Sequence, residues 1–167
     1  MDALRCILSK RETRIFLDKP VPREIVTQVL EAGRVAGSAK NRQPWSFILV
    51  QDKQQLKELS RYGQFAQHLP QAGFAIVIVT NAEYMQDPFD AGRAAQNMML
   101  AAHALGLGSC PLTFHDEEGA KKFLGVPEEK RVQVGIAFGY PAEQKRRGKI
   151  KRRAFEQIVR YEKWLTV

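Results

Sequence analysis

Apolar side chains recur along this chain at two spacings, and the spacing separates helices from strands. Ala3, Leu4, Ile7 and Leu8 follow a helical period, so residues 2–10 read as a short amphipathic helix. Pro20 and Pro22 mark a turn, and Pro22 suits the opening of a second helix. Ile25, Val26, Val29, Leu30 and Gly33 give that helix one apolar face. Gly37 to Pro44 is polar and punctuated by Gly and Pro, hence a loop. Trp45 to Val50 reads as a strand and residues 53–62 as a surface helix. Phe74 to Thr80 is a continuous apolar run, as expected of a strand buried on both faces. Residues 90–105 spell a helix apolar nearly all round, which must be buried in the core or against a second subunit. Gly106 and Gly108 end it, and no strand is assigned before a short helix over 116–124. Val132 to Phe138 is another strand, Gly139-Tyr140-Pro141 a turn, and Phe155 to Trp164 a last segment.

Helices and strands interleave around a buried sheet, so the class is α/β or α+β in one domain over 1–167. The tail after Pro141 holds few apolar residues before Phe155. It reads as an arm crossing a surface, and a partner subunit supplies the obvious one.

The net charge of +8 admits nucleic acid, an anionic membrane surface or an anionic small molecule. Its distribution narrows the choice. One cluster is Lys10, Arg11 and Arg14; a denser one runs through Lys145, Arg146, Arg147, Lys149, Lys151, Arg152 and Arg153. Two clusters far apart in sequence suit convergence on one anion, and equally suit two solvated tails. The second could contact nucleic acid in a salt-dependent way, but it has no interleaved aromatics to stack bases and no helix-turn-helix pattern. No apolar run approaches the length of a membrane span, and the N-terminus lacks the apolar stretch of a secretory signal. Cys6 and Cys110 make neither a disulfide framework nor a zinc site, which points to a reducing cytoplasm.

Conventional catalytic sets are scarce. His68, His103 and His115 sit at no metal spacing, and His103 reads as a structural histidine on the Ala-rich helix. No basic neighbour in sequence activates Cys110, which reads as a buried structural thiol. There is no nucleophile elbow, P-loop or G-x-G-x-x-G. If the chain is an enzyme, its chemistry belongs to a cofactor. Three segments could bind one. Lys10 to Phe16 bunches cations that can grip a phosphate. Gly37 to Trp45 offers small and amide side chains that donate and accept toward a polar ring or a ribityl chain. Gly106 to Phe114 could point backbone amides at a flat ligand. Each is also readable as a plain solvated turn or connection.

Taken in order, these segments resemble the nitroreductase family of FMN enzymes over nearly the whole chain. Ile7 to Phe16 resembles the family's basic N-terminal motif. Ser38-Ala39-Lys40-Asn41-Arg42-Gln43-Pro44-Trp45 resembles its N-x-Q-P-W segment closely. Asp90 to Gly108 resembles its central helix, Gly135 to Pro141 its G-x-P strand end, and Arg152 to Val159 its closing segment. The resemblance implies an α+β, three-layer fold: a central mixed, mostly antiparallel sheet flanked by helices, with the arm over 141–167 exchanged in a homodimer. Lys10 and Arg11 would hold the FMN phosphate, assisted by Arg152 or a basic neighbour. Arg14 would lie at the pyrimidine edge of the flavin. Ser38, Asn41 and Gln43 would come from the partner subunit to the ribityl chain and ring. Pro111 to Phe114 would pass along the ring with a backbone N–H near Thr113, and His68 falls near a further polar contact. NADH or NADPH would donate electrons and a nitroaromatic, quinone or flavin would accept them, with ping-pong kinetics and no side chain as covalent catalyst. A flavin carrier or sensor with little turnover is the alternative reading. Lys10 replaces the more usual arginine. Glu12 occupies a site often filled by a hydroxyl residue, so it is expected to point away from a phosphate and pair with Arg11. The chain is short for the family and lacks room for the insertion that covers the flavin in larger members.

Overall fold

The computed structural model describes residues 2–81, 83–142 and 151–164. Helix α1 spans Ala3–Ser9, α2 Arg23–Arg34, β1 Trp45–Val50, α3 Lys53–Leu59, β2 Phe74–Thr80 and α4 Asp87–Ala104. Then follow β3 Gly108–Thr113, α5 Glu117–Leu124, β4 Arg131–Gly139 and the single turn α6 Phe155–Ile158.

The strands form one sheet in the order β1-β2-β4-β3, and each neighbouring pair is antiparallel. Side-chain alternation on β2 builds the two halves of the core. Phe74, Ile76 and Ile78 point toward α2 and α4, where they meet Val26, Val29, Met98, Ile136 and Phe138. Ala75, Val77 and Val79 point the other way, into a cluster with Leu56, Leu59, Leu69, Leu112 and Phe114. A strand covered on both faces has no polar side to keep, which is why its sequence is apolar throughout. Phe74 and Phe138 stack at 4.9 Å between ring centroids. The result is three layers, α+β.

Helix α4 begins three residues before the expected Asp90, because Pro88 suits a first helical turn and Asp87 Oδ2 accepts from the backbone N–H groups of Glu83 and Tyr84, fixing the turn that leads into the helix. It is not apolar all round. Ala91, Ala94, Ala95, Met98, Met99 and Ala102 make one buried stripe, while Phe89, Gly92, Arg93, Gln96 and Asn97 are exposed. Helix α2 lies close along the stripe; a Cβ on Gly33 would come within 2.8 Å of Met98 Cγ. The end of α4 is closed by Gly106 at φ +83°, with Leu107 N–H donating to Ala102 O at 2.8 Å and Gly106 N–H to His103 O at 3.1 Å. This is a Schellman motif.

Two expectations change. Residues 108–113 form a strand, not a turn. Its Pro111 is tolerated because β3 is the sheet edge, where a missing N–H breaks no interior ladder. On α1 only Cys6 is buried, and Leu4, Ile7 and Leu8 face outward. The expected apolar face exists, but nothing in the described chain covers it.

Candidate functional site

The chain leaving α1 runs beside the start of β3. Thr13 N–H donates to Ser109 O at 2.9 Å, Glu12 and Ser109 form a parallel bridge, and buried Phe16 pairs with Pro141. Gly108 makes the approach possible, since a Cβ there would sit 2.6 Å from Thr13 Cβ. Lys10, Arg11 and Thr13 therefore meet His103 at the end of α4, Gly106 and Leu107, and the first residues of β3 around a cleft of about 250 Å³.

The end of α4 at this cleft is the negative end of its dipole, so the positive potential here comes from the Lys10 and Arg11 side chains. Lys10 Nζ is 2.6 Å from Glu12 Oε1 and 3.7 Å from Met99 Sδ, with its side chain 7% exposed. The expected Glu12–Arg11 pair is thus replaced by Glu12–Lys10, since Arg11 Nη1 donates instead to the carbonyls of Leu8 and Lys10 at 2.8 and 2.7 Å. His103 Nε2 lies 2.9 Å from Ser9 Oγ. Burial, then Lys10 and Arg11, push its pKa below the usual histidine value. Ser109 Oγ is buried with no hydrogen-bond partner among the described residues. Two cations and an unspent buried hydroxyl at one cleft fit a phosphate group.

A second cleft, of about 320 Å³, is lined by Arg14, Ile15, Phe65, Gln67, His68 and Gln71. His68 is buried and its Nε2 has no hydrogen-bond partner among the described residues. Burial, then the charge of Arg14, lowers its pKa. Strand β3 starts at the first cleft with Gly108 and Ser109. Cys110 and Leu112 turn inward, while Pro111 and Thr113 are exposed on the face that Ser109 shares.

Ser38, Asn41 and Gln43 lie elsewhere. Their loop carries three non-glycine residues at positive φ: Lys40 at 52°, Asn41 at 56° and Gln43 at 50°. Such residues cost of the order of 1 kcal/mol or more each and cluster at functional sites. Local bonds hold them: Gln43 N–H donates to Ser38 Oγ at 2.9 Å and Gln43 Nε2 to Asn41 O at 3.2 Å. Ala39 N–H donates to Asp90 Oδ2 at 2.8 Å, which ties the loop to the first turn of α4. His103 stands thirteen positions further along α4, about 20 Å at a rise of about 1.5 Å per residue. One chain therefore keeps the amide loop and the cationic cleft apart.

Arg152 is exposed on the arm and lines neither cleft, and Lys145 to Lys149 lie outside the described residues. Among the described residues no group of three or more His, Cys, Asp or Glu side chains could hold a metal ion. Also among them, no helix is long and apolar enough to cross a membrane. The sequence reading overlooked Ser9, His103 and Ser109 as cleft residues. A histidine one turn after Met99 on a helix that packs against α1 was the available signal.

A family model described as the Nitroreductase family matches residues 7–65 and 64–140. A protein of Archaeoglobus fulgidus, provisionally named NADH dehydrogenase/NAD(P)H nitroreductase, is 34% identical over 153 residues, covering 86% of this chain and 88% of that protein. A crystal structure from Bacteroides thetaiotaomicron with the same provisional name superposes with a TM-score of 0.88 at 30% identity, covering 97% of this chain and 98% of that one. The FMN-dependent nitroreductase of Clostridium difficile R20291 gives a TM-score of 0.85 at 28% identity, covering 96% and 99%.

Proposed function

The chain belongs to the nitroreductase family, and on that premise we propose that it is a homodimeric enzyme that passes electrons from NAD(P)H to a small acceptor by ping-pong kinetics. It is an NAD(P)H-dependent oxidoreductase with FMN as its cofactor. The observation that carries the site assignment is the cationic cleft lined by Lys10, Arg11 and Ser109, with Arg14 and His68 lining a second cleft.

Lys10, Arg11 and Ser109 would hold the phosphate, with Arg152 or a basic neighbour joining from the arm. A phosphate there must displace Glu12 from Lys10, exchanging one anion for another. Arg14 would face the pyrimidine edge, where a fixed cation favours the negative charge that reduction brings. Pro111 and Thr113 would lie along the ring. Ser38, Asn41 and Gln43 would come from the partner subunit, because Asp90, which anchors their loop, stands about 20 Å along α4 from His103 in the cleft of their own chain. FMN held there would supply two-electron redox chemistry between the nicotinamide and a nitroaromatic, a quinone or another flavin. The protein's share is orientation and charge, since Cys6 and Cys110 are both buried.

The test is an absorbance spectrum of the purified full-length protein, then anaerobic reduction by NADH and NADPH and reoxidation by menadione or nitrofurazone. Yellow protein that releases FMN on denaturation is the expected result. Colourless protein that takes up no added FMN would sink this reading.

A further inference from the structure

The residue between Asn41 and Gln43 is Arg42, and it points opposite to its neighbours. Asn41 and Gln43 are exposed, whereas the Arg42 side chain is 24% exposed and its Nε and Nη2 are buried. The guanidinium lies over the ring of Tyr84 at 4.2 Å from its centroid. Its Nη2 is 3.9 Å from Asp87 Oδ1, on a side chain only 1% exposed. Asp87 Oδ2 is already committed to the backbone N–H groups of Glu83 and Tyr84. Asp87 Oδ1 has no hydrogen-bond partner among the described residues, and neither do Arg42 Nε and Nη2.

These facts form one arrangement. The loop's three residues at positive φ are held by bonds within the loop and by anchors outside it. Asp90 supplies one anchor through Ala39, at the loop's start. Arg42 supplies another between the two exposed amides, reaching back to the same turn of α4. A buried carboxylate and a buried guanidinium at 3.9 Å are placed for an ion pair yet short of a hydrogen bond.

We propose that Arg42 is a positioning residue: clamped between Tyr84 and Asp87, it holds the Asn41 and Gln43 side chains turned outward to receive the flavin of the partner subunit. This rests on the reading that the 38–43 loop contacts FMN. The clamp acts through Asn41 and Gln43 and touches no cofactor itself. Lysine keeps the charge over Tyr84 and toward Asp87, whereas methionine keeps the stem alone.

The test measures FMN dissociation constants of the full-length protein by flavin fluorescence. Arg42→Met should weaken FMN binding about tenfold, and Arg42→Lys should recover most of that loss. In an Asn41→Ala/Gln43→Ala background, Arg42→Met should cost little more, because the side chains it positions are gone. A merely structural Arg42 would cost as much in that background as in the wild type, and that result overturns the proposal. Asn41→Ala/Gln43→Ala that binds FMN like the wild type would instead remove the loop from the flavin site, and the proposal with it. An unchanged dissociation constant for Arg42→Met, with the Asn41 and Gln43 variants impaired, would discard the clamp alone.

Discussion

Histidine protonation at the two clefts has a definite sign. His103 is held below its usual pKa by burial first, then by Lys10 and Arg11, and His68 by burial first, then by Arg14. With a lowered folded-state value, the unfolded chain binds protons that the folded chain refuses. The contribution to stability is full above the unfolded value of about 6.5 and is lost as pH falls through the folded value. The apoprotein should therefore show a falling urea midpoint below about pH 6.5, and His103→Gln should flatten part of the fall. Superimposable curves for wild type and variant would remove His103 from this account. A phosphate beside Lys10 and Arg11 offsets their repulsion of a third positive charge. FMN-loaded protein should accordingly show a shallower pH dependence than the apoprotein.

Two glycines around β3 separate backbone from packing effects. A Cβ at Gly106 meets nothing within 4 Å, but the residue sits at φ +83°. Gly106→Ala should cost about 1 kcal/mol through the left-handed conformation alone. A Cβ at Gly108 would press on Thr13 at 2.6 Å, so Gly108→Ala should cost about 1–3 kcal/mol by overpacking. Gly108→Ala should also loosen Lys10 and Arg11, because Thr13 pairs with Ser109 beside them. Denaturant melts rank the two variants, and only Gly108→Ala should lower FMN affinity.

The same scale shows what the sequence could reveal. β2 and α2 were legible because burial alone sets their pattern: one run is apolar on both faces, the other striped. The strand β3 was hidden by Gly108 and Pro111, residues that argue against a strand and are accepted here at an edge. The start of α4 was hidden because the apolar pattern begins only after Asp90, whereas the bonds from Glu83 and Tyr84 N–H to Asp87 that fix the entry turn leave no mark in that pattern. At the site, the N-terminal cations stood out by charge, and the 38–45 loop by its resemblance to the family's N-x-Q-P-W segment. The Glu12–Lys10 pair did not, because neighbours in sequence give no hint of which cation a carboxylate will choose. Neither did the inward turn of Arg42.

The molecule as described leaves much apolar surface to solvent. Leu4, Ile7 and Leu8 on α1 are 66, 54 and 65% exposed, and Phe155, Ile158, Tyr161 and Trp164 on the arm are exposed as well. Exposure on this scale marks an interaction surface, and it agrees with a second subunit covering α1 and receiving the arm. Phe155→Ser/Ile158→Ser should shift the protein from dimer to monomer in light scattering and lower its flavin content. A double variant that stays dimeric with full FMN would place the interface elsewhere.

The length of α4 has a genetic consequence. If its two ends serve different active sites, a defect at one end and a defect at the other need not fall in the same site. Subunits carrying Arg11→Ala and subunits carrying Asn41→Ala/Gln43→Ala, each inactive by itself, should regain activity when co-expressed. In each mixed pair one site inherits both lesions and the other inherits neither.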